Sequence, residues 1–246
     1  MKRVMVIGAK GKTGSCIVRG VEAASDLELA GAVDLGDDLG AAIAREKPEV
    51  AVDFTAPDAV FRIVETVMSH GVHAVIGTSG LQTEQLERLD ALARERGVGC
   101  LFAPNFALGA VLMMRFAEEA ARHYPNCEII ERHHEHKLDA PSGTARATAE
   151  RIAAARAEAP AAVGETENAP GARGGRIDDI PVHSVRLPGS IAHQEVLFGG
   201  PGETLVIRHD TADREVFVPG VLLAVRQIAA HAGLVRGLEP LLWPHA

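Results

Sequence analysis

The chain has 246 residues, of which 47% are hydrophobic but only 4% aromatic, and its formal net charge is −8. An apolar load carried by Ala, Val, Leu and Ile suits helix-on-sheet layering, while an acidic chain without a basic run is a poor match for nucleic acid or an anionic membrane. Three widely spaced cysteines, Cys16, Cys100 and Cys127, form no CxxC, so neither a disulfide framework nor a thiolate zinc site is expected.

The N-terminal segment turns to glycine after a short apolar run instead of extending into a signal-peptide core. Nothing in the sequence approaches the apolar length of a membrane span. The expectation is a cytoplasmic protein with no membrane partner.

Up to Asn105, apolar strand patterns alternate with helical ones. Val4–Ile7, Leu27–Val33, Val50–Phe54, Val72–Ile76 and Val98–Phe102 read as strands. Lys12–Ala24 and Ala59–His70 read as helices, the second with Val60, Ile63, Val64, Val67 and Met68 on one stripe, and a third begins at Thr83. A repeated βα rhythm predicts α/β architecture, a Rossmann-type doubly wound parallel sheet.

Beyond Asn105 the rhythm changes. Leu108–Tyr124 and Thr144–Glu158 are expected helices and Cys127–His134 an expected strand. Val182–Leu187, His193–Phe198 and Thr204–His209 are three strands in succession, which predicts a second α+β domain with a mixed or antiparallel sheet. Ala159–Pro181 lacks periodicity and reads as a mobile surface loop. Glu215–His231 returns to helix.

Gly8, Gly11 and Gly14 follow the first strand and open the first helix. Glycine permits a tight turn and close backbone approach, and a helix start offers main-chain N–H groups to phosphate. The spacing is GxxGxxG rather than GxGxxG, and a plain βα turn gives the same pattern. Position decides in favour of a dinucleotide, because Asp34 ends the second strand where such folds carry an acid for ribose hydroxyls. That acid favours NADH, whereas Lys10 and Lys12 in the loop would offset repulsion of a 2′-phosphate and admit NADPH; solvated surface lysines are the plainer alternative. Gly77-Thr78-Ser79-Gly80 and Ala103-Pro104-Asn105-Phe106 also follow strand ends, the place where open α/β sheets bind ligands.

Residues 131–145, ERHHEHKLDAPSGTA, concentrate titratable groups at the end of an apolar strand. Arg132, His133, His134, His136 and Lys137 make a basic pocket in an acidic chain, suited to a small anionic ligand. Pro141-Ser142-Gly143-Thr144 starts a helix, where capping and anion binding use the same amides. Lys137 is a candidate proton donor, with the neighbouring histidines as candidate cations. A metal site is the alternative, but on an extended strand His134 and His136 face away from His133 and Glu135, and no HExxH or thiolate supports one; no metal is expected. Cys127 as a nucleophile is weaker still, since an apolar-strand cysteine belongs to a core.

These motifs, taken together, resemble the 4-hydroxy-tetrahydrodipicolinate reductase (dihydrodipicolinate reductase) family over nearly the whole chain. HHEHKLDAPSGTA matches its HHxxKxDAPSGTA, and GAKGKTG, GTSG, APNF and VPGVLLAVR follow in family order, with Ser79 replacing an expected Thr. The resemblance implies reduction of a cyclic, dicarboxylate-bearing imine by NADH or NADPH, with loss of water, in lysine and diaminopimelate biosynthesis. It places His133 and Lys137 at catalytic positions and His134, Gly143 and Thr144 at substrate positions. Gly8, Ala9, Lys10, Gly11, Lys12, Thr13, Asp34, Gly77, Thr78, Ser79, Ala103, Pro104, Asn105 and Phe106 fall at cofactor positions. It further implies a dinucleotide domain of residues 1–105 rejoined by 216–246, a substrate and oligomerisation domain of residues 106–215, and a homotetramer.

Overall fold

The computed structural model describes residues 1–159, 164 and 166–244. The chain divides into two compact units, Met1–Leu108 with Arg214–Ala246, and Gly109–Asp213.

The first unit is a six-stranded sheet of β1 (Lys2–Ile7), β2 (Leu27–Val33), β3 (Val50–Asp53), β4 (His73–Ile76), β5 (Gly99–Phe102) and β11 (Gly233–Arg236), in the order β11-β5-β4-β3-β1-β2. Every neighbouring pair is parallel. The chain runs outward from β1 to β2 and then returns to the other side of β1 as β3. That reversal opens a crevice beyond the carboxyl ends of β1 and β3.

Pleat alternation sorts the core. Met5, Ile7, Ala51, Ile76 and Cys100 pack against α2 (Leu39–Glu46), α3 (Val60–Ser69) and α4 (Thr83–Arg96). On α3 the stripe Val60, Val64, Val67 and Met68 is buried, as its spacing predicts. The opposite face meets α1 (Gly14–Ala23) and α7 (Val218–Gln227). Gly20 is required there, because a Cβ would lie 2.3 Å from Val218 Cγ1.

Several boundaries differ from the sequence expectation. The first helix begins at Gly14, not Lys12, because Gly11 N–H still bonds to Gly8 O at 3.0 Å inside the turn. The expected helix Glu215–His231 is split into a 3₁₀ turn (Arg214–Phe217), α7, and a second 3₁₀ turn (Ile228–Ala230). Pro219 sits in the first turn of α7, where its missing N–H costs nothing.

The second unit is a five-stranded mixed sheet ordered β10-β9-β6-β8-β7. Its strands are β6 (Asn126–His133), β7 (Gly175–Ile177), β8 (Ile180–Arg186), β9 (Ala192–Gly200) and β10 (Glu203–Thr211). Only β6 and β8 pair in parallel. Helices α5 (Leu108–Ala121) and α6 (Gly143–Ala155) cover one face, closing a core of Ala117, Ile129, Ala149, Ile152, Val182, Val196 and Phe198. The expected loop at 159–181 is corrected in part: Gly175–Ile177 forms a hairpin with β8 through Asp178 and Asp179, both at positive φ. Residues 160–163 and 165 of that stretch lie outside the described residues.

Candidate functional site

In the first unit the site is built from backbone. Gly8 has φ +80°, and a Cβ there would lie 2.3 Å from Phe54 O; one on Gly14 would lie 2.0 Å from Gly8 O. The glycines therefore let the turn between β1 and α1 pack tightly on itself and on the end of β3, which a side chain at either position would prevent. A tight backbone turn at a helix start is the kind of cradle that suits a nucleotide pyrophosphate. Asp34 reaches back over it: its carboxylate accepts from Lys10 N–H at 2.6 Å and Leu35 N–H at 2.8 Å. Those two bonds hold its pKa below the usual carboxylate range. Lys10 and Lys12 are exposed.

Three further strand-end loops meet around Phe54, a residue the sequence pattern assigns only to a strand. A Cβ on Gly77 would strike the Phe54 ring at 2.2 Å, and that ring packs on Phe106 at 5.8 Å between centroids. Ala103 N–H bonds to Ile76 O at 3.2 Å, and Asn105 Oδ1 accepts from Ala107 N–H at 2.9 Å. Thr78 is buried and its Oγ1 accepts from Thr55 N–H at 2.7 Å; Ser79 and Pro104 are exposed. Beneath them lies Asp53, 2% exposed, whose Oδ1 accepts from Thr55 Oγ1 at 2.7 Å. Its Oδ2 is buried without a hydrogen-bond partner, and burial raises its pKa despite the hydroxyls of Thr78 and Thr55.

In the second unit the site is built from side chains. Alternation along β6 puts Ile129, Glu131 and His133 on the face that carries α6. Glu131 is fully buried and accepts from His133 Nδ1 at 2.5 Å, from both terminal nitrogens of Arg186 at 3.0 and 2.9 Å, and from Ser142 N–H at 3.3 Å. Burial pushes its pKa up, but hydrogen bonds from His133, Arg186 and Ser184 outweigh it and hold the group at about 2. A carboxylate only accepts, so Nδ1 of His133 carries a hydrogen and Nε2 is the nitrogen left for exchange.

Strand β6 ends at His133, so His134–His136 lie in a turn closed by Lys137 N–H on His134 O at 3.1 Å. The partner of Lys137 is a carboxylate that the sequence reading did not pair with it: its Nζ is held by Asp139 at 2.7 and 2.9 Å, while His134 and His136 are exposed. Ser142 caps α6, its Oγ accepting from Ala145 N–H at 3.2 Å. Gly143 and Thr144 form the first turn, at the positive end of the helix dipole, and a Cβ on Gly143 would meet nothing within 4 Å. Thus Glu131, His133, Ser142, Arg186 and the main chain of Lys137 are joined by hydrogen bonds, whereas the side chains of His134 and His136 stand outside that network. Arg186 escaped the sequence reading because its partners lie 47 to 55 residues away. Among the described residues no group of three or more His, Cys, Asp and Glu is placed to hold a metal ion. No helix among them is long and apolar enough to cross a membrane.

Residues 2–106 match the profile described as dihydrodipicolinate reductase, N-terminus, and residues 109–242 that described as dihydrodipicolinate reductase, C-terminus. The chain is 54% identical over 242 residues to the 4-hydroxy-tetrahydrodipicolinate reductase of Mycolicibacterium smegmatis, covering 98% of both chains. It is 52% identical, with the same coverage, to that of Mycolicibacterium vanbaalenii. It superposes on the dipicolinate-bound dihydrodipicolinate reductase from Paenisporosarcina sp. TG-14 with a TM-score of 0.89 and 42% identity, covering 97% of this chain and 98% of that one.

Proposed function

The chain belongs to the dihydrodipicolinate reductase family, and from that premise we propose that it reduces 4-hydroxy-tetrahydrodipicolinate to tetrahydrodipicolinate with loss of water. The reductant is NADH or NADPH, and the setting is cytoplasmic lysine and diaminopimelate biosynthesis. The observation that carries this reading is the Glu131–His133–Arg186 cluster joined through Ser142 to the start of α6. It sets proton-handling side chains beside a helix N-terminus suited to a carboxylate.

A nicotinamide nucleotide would be held by Gly8–Thr13 and Asp34, with Gly77–Ser79 and Ala103–Phe106 toward its nicotinamide half, and it supplies hydride when bound. The glycine cradle and the strand-end loops support that fit. Asp34 suits ribose hydroxyls, while Lys10 and Lys12 admit a 2′-phosphate. A preference for NADH above about a thousandfold, about 4 kcal/mol, would exclude dual use.

The protein's own residues do the rest. His134 and the first turn of α6 at Gly143 and Thr144 bind and orient a substrate carboxylate. Loss of the 4-hydroxyl as water gives the conjugated imine, and hydride added to its far carbon leaves the electron pair on the neighbouring carbon, which must take a proton. Lys137 Nζ, at present shared with Asp139, is the donor. His133, held at Nδ1 by Glu131, presents Nε2 to stabilise that charge and assist the transfer.

The outward face of the second sheet supports self-association, and a homotetramer is the assembly we propose. Ile130, Val185 and Val206 are 36%, 38% and 48% exposed there. They alternate with charged Arg132, Glu128 and Arg208. Sedimentation of the purified chain tests the assembly; a monomer would exclude it.

The test of function is a coupled assay. Pyruvate and aspartate semialdehyde are condensed by the pathway's synthase, and nucleotide oxidation is followed with NADH and with NADPH. Oxidation that depends on both precursors is expected, and no oxidation with either nucleotide overturns the reading.

A further inference from the structure

A dicarboxylate substrate makes any half-buried arginine near the site a suspect for direct recognition. Arg186, the last residue of β8, is that arginine, and its side chain is 19% exposed. A guanidinium has five N–H donors. In Arg186 each has a partner inside the protein. Nη1 donates to Glu131 Oε2 at 3.0 Å and to Val185 O at 2.8 Å. Nη2 donates to Glu131 Oε1 at 2.9 Å and to Asp139 O at 2.6 Å. Nε donates to Lys137 O at 3.2 Å.

No donor is left over for a ligand carboxylate. What the guanidinium grips is informative: the carboxylate that holds His133, and the main-chain carbonyl of Lys137 itself. The turn from His134 to Asp139 is otherwise held only by contacts within itself, Lys137 N–H on His134 O and Lys137 Nζ on Asp139, and Leu138 at its tip is 99% exposed. A planar fork can satisfy a carboxylate and three carbonyls at fixed angles, whereas an ammonium acts as a rotatable point charge.

We propose that Arg186 is a positioning residue, locking the Glu131 carboxylate behind His133 and the backbone of Lys137 so that both proton-handling side chains stand on one rigid platform. The inference rests on the reductase reading given above and adds to it a residue that orders the site without touching substrate.

The test compares Arg186→Lys and Arg186→Met with wild type in the full-length enzyme. Misplacement of reacting groups by about 1 Å costs on the order of a hundredfold in rate. Both variants are therefore expected to lose between about tenfold and a hundredfold in kcat, with KM for the dicarboxylate and for the nucleotide changed less than about threefold. Wild-type kcat in Arg186→Lys would mean that charge alone suffices, and the proposal would be overturned. A dicarboxylate KM raised more than about tenfold at unchanged kcat would make Arg186 a substrate ligand, with the same result.

A second measurement needs no variant to fold and no turnover. In uniformly ¹⁵N-labelled wild-type protein, the Arg186 guanidinium N–H resonances are expected to exchange slowly with solvent. They should stay in place when dipicolinate is added, while resonances of Gly143 and Thr144 shift. Rapid exchange, or a guanidinium shift matching those of Gly143 and Thr144, would refute the positioning role. Absence of turnover in wild type, with these signals as expected, would instead fault the reductase reading alone.

Discussion

Among the described residues two carboxyl side chains are buried, Asp53 in the first unit and Glu131 in the second, and they are handled in opposite ways. Asp53 in the first unit has only the uncharged groups of Thr55 and Thr78 as hydrogen-bond donors, and burial raises its pKa. Glu131 in the second unit is equally hidden from solvent, yet His133, Arg186 and Ser184 hold it at about 2. A buried anion survives only with cations and donors around it. The contrast extends to the candidate residues around each. Those of the first unit are strand-end loops shaped by glycines and main-chain N–H groups, with no cation beside the buried carboxyl. Those of the second are joined through a buried Glu131–Arg186 ion pair.

If that contrast holds, the two halves respond differently to substitution. The largest effect is expected for Glu131→Gln, which leaves the Arg186 guanidinium without its counter-ion. Urea unfolding should show a loss of about 3–5 kcal/mol, the usual result of breaking a buried ion pair on one side. A loss under about 1 kcal/mol would mean that the network matters little to the fold. Next comes Lys137→Ala, which is expected to lower kcat by two orders of magnitude or more, about 3 kcal/mol, without unfolding the chain. A change confined to KM would make Lys137 a binding residue.

Gly8→Ala comes third. It combines a left-handed backbone with a clash against Phe54 O, so a cost of about 1–3 kcal/mol is expected. Nucleotide affinity should fall while dicarboxylate affinity is spared, and isothermal titration with each ligand separates the two. The smallest effect is reserved for Asp53→Asn, which should change stability by about 1 kcal/mol or less and raise it at neutral pH. Were it to cost as much as Glu131→Gln, the distinction between the two buried carboxyls would collapse.

Acid titration gives the same comparison its sign. Glu131 has a folded pKa near 2 against an unfolded value near 4.5, so its contribution is complete above 4.5. That contribution is lost as pH falls from 4.5 toward 2, because the unfolded chain binds the proton first. For Asp53 the folded value lies above the unfolded 3.8, so its carboxyl opposes folding increasingly as pH rises past 3.8. Denaturant midpoints measured across this range should flatten at the acid end in Glu131→Gln. In Asp53→Asn they should flatten on the side above 3.8.

How much of this was legible beforehand follows from the range of the interactions. Strand ends that run straight into glycine, as at Ile7–Gly8 and Ile76–Gly77, carry their meaning in a few consecutive residues. The segment from His133 to Thr144 does the same. By contrast α2 offers only Leu39, Ala42 and Ile43 as an apolar stripe and escaped notice, as did β11, four residues long. The β7–β8 hairpin hides behind Pro181, a poor strand residue. The pair Asp178-Asp179 was the available clue, since aspartate tolerates the left-handed backbone that a two-residue hairpin turn needs. Phe54 and Arg186 were beyond reach. Each acts on residues brought near only by sheet topology, and their local sequence looks like ordinary strand.

The placement of β11 has a consequence for the order in which this molecule can be made. The second unit, Gly109–Asp213, is one continuous stretch and leaves the ribosome whole. The first unit then still lacks α7 and the strand that borders β5. Until those arrive, the parallel sheet has an unpaired edge at β5 and an uncovered face where α7 packs on β3 and β4. Synthesis therefore finishes the interior of the sequence before its N-terminal half, the reverse of the usual N-terminal-first course. The glycine turn after β1, though encoded within the first fourteen residues, belongs to the unit that is completed last.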